Sequence, residues 1–95
     1  MIVVAATFKV KEGKKGEMEK GLKNLAELVR KNENGTLVYS IHKAIGDPTK
    51  FLVYEKYKDD EALNEHSGSS YFQEFMGNAM EWVDGMPEIS MYEEI

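Results

Sequence analysis

Only two imidazoles occur in this chain, His42 and His66, and His66 stands where a ring could move a proton. It follows Leu63 by three positions and Ala62 by four, so on a helix it shares their apolar side instead of facing water. Partial burial there favours the neutral ring and leaves a proton acceptor near neutral pH. A packed histidine, bonded to a nearby carbonyl or closing a helix end, fits the same spacing. Glu55 shares strand parity with Phe51, Val53 and Tyr57, a mostly apolar row in which a carboxylate must be paired or hydrogen-bonded to stay ionised. Orienting a catalytic group is one role for it; pairing with a lysine across a dimer or lining a solvated edge is another. Tyr39, Tyr54, Tyr57, Tyr71, Phe72 and Trp82 can wall a flat aromatic ligand, and Met76, Met80 and Met86 suit that wall or plain core equally.

Other chemistries find less support. With no cysteine there is neither a disulfide framework nor a thiolate ligand or nucleophile, and a reducing, cytoplasmic setting is expected. No G-x-G-x-x-G occurs, and Gly13-Lys14-Lys15-Gly16 lacks the spacing of a phosphate-binding loop, so a tightly held dinucleotide is not expected. Neither H-E-x-x-H nor an EF-hand pattern appears, and no metal is expected. Asn34-Gly35-Thr36 matches a glycosylation triplet but reads better as a helix-to-strand turn. The net charge of −5 argues against nucleic acid as a partner. It is unevenly spread: residues 1–31 carry eight basic and four acidic side chains, residues 32–95 four and thirteen. Those early lysines alternate with apolar positions, as on a solvated face.

Ninety-five residues suffice for one small domain, residues 1–95, and not for two cores. A composition 42% hydrophobic and 31% charged excludes disorder. No stretch approaches the roughly 20 apolar residues of a membrane span, and no membrane association is expected. The apolar start has no basic flank and reads as a first strand, alternating Ile2, Val4, Ala6, Phe8, Val10 against Val3, Ala5, Thr7. Met18, Leu22, Leu25 and Val29 then recur at helical spacing, predicting an amphipathic helix over 14–31 that stops at Asn32–Gly35. Residues 37–45 and 51–57 alternate around Gly46-Asp47-Pro48-Thr49, which predicts a hairpin with a four-residue turn. A short helical segment holds Ala62, Leu63 and His66. Ser70-x-x-Gln73 has the spacing of a capping box, opening a helix whose stripe runs from Phe72 to Val83 before Asp84-Gly85, and residues 88–95 close as a strand.

The order β-α-β-β-α-β is that of a ferredoxin-like α+β fold, a four-stranded antiparallel sheet with its helices on one face. Both parities of the strands are partly apolar, however: Phe51, Val53 and Tyr57 on one, Leu52 and Tyr54 on the other. Two apolar faces need two covers, and the simplest second cover is the same sheet of another copy, giving a homodimer through the sheet faces.

At Glu55-x-Tyr57-x-Asp59-x-x-Ala62-Leu63-x-x-His66-x-x-Ser69-x-x-Phe72 the chain resembles the antibiotic biosynthesis monooxygenase domain family, which includes quinol monooxygenases. The resemblance implies a dimeric α+β barrel and oxygenation of a small quinol- or phenol-like aromatic by O2 with no cofactor: no metal, flavin or haem. In that chemistry a base removes a phenolic proton, and the electron-rich anion itself reduces O2. The resemblance makes His66 the base, with Glu55 positioning it or a water and Tyr71 and Phe72 stacking on substrate; Tyr57 and Met76, from the aromatic and methionine set above, complete the expected substrate-binding residues. Haem-degrading relatives carry an asparagine on the first strand, a tryptophan where this chain has His66 and a histidine further along the last main helix. Here those places hold Thr7, His66 and Met76, which disfavours haem. Two alternatives remain, a non-catalytic ligand-binding module and an isomerase of a phosphorylated sugar-derived signal.

Overall fold

The alternating residues after Met1 form β1 (Ile2–Lys9) in a computed structural model that describes all 95 residues. A single 3₁₀ turn at Glu12–Lys14 leads into α1 (Lys15–Asn32), which buries Met18, Leu22, Leu25, Ala26 and Val29, the stripe that its spacing predicts. The chain continues through β2 (Thr36–Ala44), β3 (Asp47–Tyr57), α2 (Asp60–Ser67), α3 (Ser70–Ala79) and β4 (Glu88–Glu93). The strands make one sheet in the order β2-β3-β1-β4, antiparallel throughout. This is the ferredoxin-like α+β fold, with the second helical arm divided in two.

Register decides what meets the helices. Tyr39, Glu55 and Val4 lie in one row across β2, β3 and β1, and Ile41, Val53 and Ala6 in the next. Along β3 the buried residues are Phe51, Val53, Glu55 and Tyr57, while Leu52, Tyr54 and Lys56 between them are half-buried. Glu55 therefore belongs to the helix-side face and not to a solvated edge. The core gathers Met18, Leu22, Leu25 and Val29 of α1 against Tyr39, Phe51 and Val53, and a smaller cluster joins Val4 and Tyr57 to Ala62. Truncating one of these aliphatics to alanine costs about 2–5 kcal/mol.

Three local expectations need correction. The hairpin is tighter than a turn over Gly46–Thr49: β2 reaches Ala44 and β3 starts at Asp47, leaving Ile45 and Gly46, with Gly46 at φ +90°. A register shift between Lys43 and Ala44 absorbs the extra residues of β3, and Pro48 falls at that irregularity, where no ladder donor is required. The Asp47 carboxylate accepts from the Thr49 amide at 3.1 Å and hydroxyl at 2.6 Å, which holds the start of β3 in place. The last helix stops at Ala79 instead of running to Val83, because the following backbone turns back to the end of β1: Val83 bridges Val10, and the Asp84 amide donates to the Lys9 carbonyl at 2.8 Å. Its cap is Ser69 and not Ser70. Ser69 Oγ accepts from the Phe72 amide at 3.3 Å, and the Gln73 side chain donates to the Ser67 carbonyl at 2.7 Å.

Candidate functional site

Two caps set the place of His66. The Asp59 carboxylate accepts from the Ala62 amide at 2.9 Å and starts α2 directly after β3. Ser69 Oγ, besides capping α3, donates to the His66 carbonyl at 2.7 Å, so one helix ends and the next begins around this residue. Ala62 and His66 are the buried residues of α2, as their spacing predicts.

The His66 ring is 2% exposed and enclosed by aromatic rings: Phe72 at 4.6 Å between centroids, Tyr39 at 5.2 Å and Tyr57 at 5.6 Å. Its Nδ1 lies 3.0 Å from Oε2 of Glu33. Its Nε2 is the one buried side-chain nitrogen or oxygen without a hydrogen-bond partner. An unsatisfied buried polar atom costs about 1–3 kcal/mol, and in a native structure it calls for an explanation. Tyr39 and Tyr57 are fully enclosed, whereas Tyr71 and Phe72 of α3 are half-buried, so the cage is thinnest towards α3.

Glu33 is the residue that the sequence reading misses. It falls in the segment expected only to stop α1, and its backbone amide does so, donating to the Val29 carbonyl at 2.9 Å. Its side chain is buried and also accepts from the Thr36 hydroxyl and the Tyr71 hydroxyl. One signal was available: a carboxylate just past a helix C-terminus opposes the helix dipole and therefore needs a local reason.

Glu55 comes into the same buried neighbourhood, where it accepts from the Tyr57 hydroxyl at 2.5 Å. Burial raises its pKa; the Tyr57 hydrogen bond and the nearby His66 oppose that rise, and the Glu33 charge adds to it. Burial, with the charges of Glu55 and Glu33, also raises the phenols of Tyr39 and Tyr57. The Tyr71 phenol is pushed up to about 12, first by burial and then by its bond to Glu33, so it remains a donor across the neutral range. Of the residues singled out from sequence, His66, Glu55, Tyr39, Tyr57, Tyr71 and Phe72 come together, and Glu33 joins them. Met76 stands one turn beyond Phe72 on α3, 40% exposed. His42 is elsewhere, exposed on β2 with its Nε2 2.9 Å from Ser40 Oγ. Two shallow depressions of about 370 and 350 Å³ lie near His42, Lys43 and Phe51, away from this ring.

A ferredoxin-like sheet with a caged histidine on its helix side defines a class of small α+β domain, and comparison with known proteins gives the family. Residues 1–78 match the family described as Antibiotic biosynthesis monooxygenase, and the chain belongs to it. It is 32% identical over 81 residues to the Bacillus subtilis protein named "Putative monooxygenase YcnE", covering 85% of this chain and 84% of that one. The crystal structure of a "putative antibiotic biosynthesis monooxygenase from Caulobacter crescentus CB15" superposes with a TM-score of 0.95 at 33% identity, over 99% of this chain and 89% of that chain. A conserved protein from Methanosarcina mazei Go1 gives 0.92 at 29%, over 99% and 92%.

Proposed function

We propose that the 95 residues work as one domain of a cofactor-independent monooxygenase, oxygenating a small quinol- or phenol-type aromatic with O2 and using His66 as general base. The observation that carries this reading is the unpartnered Nε2 of a histidine otherwise held on every side. A base needs a free lone pair in a place where substrate can replace water, and rings at 4.6–5.6 Å offer apolar faces for an aromatic. In this reading substrate reaches the imidazole from the α3 side, where Tyr71 and Phe72 are half-buried and Met76 is more exposed. Tyr57 and Glu55 line the floor from β3.

The chemistry balances without an added reductant. His66 takes a phenolic proton, and the resulting anion gives its electrons to O2. One oxygen atom ends in the ring and the other leaves as water, so a quinol plus O2 gives a hydroxyquinone plus water. Substrate loses four electrons and O2 gains four. The protein supplies a base, orientation and shelter from bulk water.

The test is oxygen uptake by metal-stripped, flavin-free protein on a panel of quinols and anthrones. Uptake is expected, and His66→Ala should lower it by at least about 100-fold, the scale of general-base catalysis, with an unchanged far-ultraviolet spectrum. Turnover only after a metal or flavin is restored, or product formed without oxygen consumption, contradicts the reading. The second outcome would instead favour an isomerase.

A further inference from the structure

We infer that Glu33 is the positioning residue of this site, fixing which nitrogen of His66 carries hydrogen and where the bare one points; this rests on His66 being the proton acceptor. Taken as ionised, the Glu33 carboxylate can only accept, and the contact at 3.0 Å is then a hydrogen bond from Nδ1–H. A neutral imidazole has one N–H, and placing it on Nδ1 leaves the lone pair on Nε2, the atom without a partner. The same carboxylate stabilises the imidazolium formed when Nε2 takes a proton, a task that a backbone carbonyl in its place would do less well.

Glu33 is itself held by three elements. Thr36 at the start of β2 donates to one oxygen, while Tyr71 of α3 and His66 of α2 donate to the other. Those donors compensate a charge that is buried and set against the C-terminal end of α1. A residue serving only to fill space there would not need a charge. The other polar groups facing the ring are Tyr39 of β2 and Glu55 and Tyr57 of β3, and Glu55 is engaged by Tyr57. Glu33 is thus the carboxylate in hydrogen-bond contact with the imidazole.

The experiment is nitrogen-15 NMR of the histidine rings in the intact protein, recorded with the rings in their neutral form. Protonated Nδ1 with bare Nε2 is expected. Glu33→Gln, whose amide can present either oxygen or nitrogen, should mix the two tautomers and lower kcat by at least about tenfold, leaving KM within about twofold. A native ring protonated on Nε2 overturns the assignment, as does a folded Glu33→Gln protein that keeps both tautomer and kcat. If that variant fails to fold, the spectrum of the native protein decides alone. Should the expected tautomer be found in a protein that consumes no oxygen with any quinol, the assignment of hydrogen to Nδ1 by Glu33 stands and the oxygenase reading falls.

Discussion

Glu55 is a buried carboxylate with one strong donor, Tyr57, and its folded pKa is raised because burial penalises the charged form. A carboxyl raised in this way contributes its stabilisation fully below the unfolded value, near 4.5, and loses it as pH rises through the folded value. At neutral pH the native protein therefore carries a cost that Glu55→Gln removes, since the glutamine oxygen still accepts from Tyr57. Thermal melts between about pH 4 and pH 8 should show the variant gaining on the native protein as pH rises, each kcal/mol appearing as about 4–8 °C. A gap that does not change with pH contradicts this account. At this scale the residues of α2 and β3 were legible, because Ala62, Leu63 and His66 share a helical face and Glu55 sits in an apolar row of period two. Glu33 was not, because it reaches His66 across 33 positions and its one local signal, a carboxylate past a helix C-terminus, names no partner.

The approach of α2 to the sheet depends on one missing side chain. A Cβ at Gly35 would stand 2.6 Å from Cβ of Ala62, closer than the two can sit, so Gly35 lets α2 lie against the start of β2. Glu33 is two residues before that contact and His66 four after it, so moving α2 outward stretches the bond between them. Gly35→Ala should cost about 1–3 kcal/mol, lower the melting temperature by about 4–8 °C per kcal/mol and reduce oxygen uptake with it. A variant as stable and as active as the native protein would show that the contact does not set the site. Hydrophobic spacing announced the long helix and the strands, because α1 buries one continuous stripe. The ends of elements were less legible. Phe72 to Val83 keeps helical spacing past Ala79, yet beyond Ala79 the chain turns to pair with the end of β1, where Val83 bridges Val10, a tertiary competition that no local pattern records. Likewise Pro48 reads as a turn residue until a register shift gives it room inside a strand.

The sheet has a second face, on which the register of the four strands sets Val3, Ala5, Val38, Leu52, Tyr54 and Tyr92 beside Thr7, Ser40, His42, Lys56 and Ser90. Helices cover the opposite side, and we propose that a second copy covers this one, as the alternation along β3 suggests from sequence alone. Sedimentation should give twice the mass of the 10.8 kDa chain, and Leu52→Lys should shift the protein towards one chain by placing a charge on that face. A native single-chain species at working concentration contradicts the assembly. The mechanism requires that His66 take a proton from substrate before oxygen reacts. Metal-stripped protein mixed with a quinol in the absence of O2 should develop the red-shifted absorption of the ionised substrate, which His66→Ala should not produce and which should decay when O2 is admitted. An equal anion signal in both proteins, or oxygen uptake at the same rate in both, would contradict it.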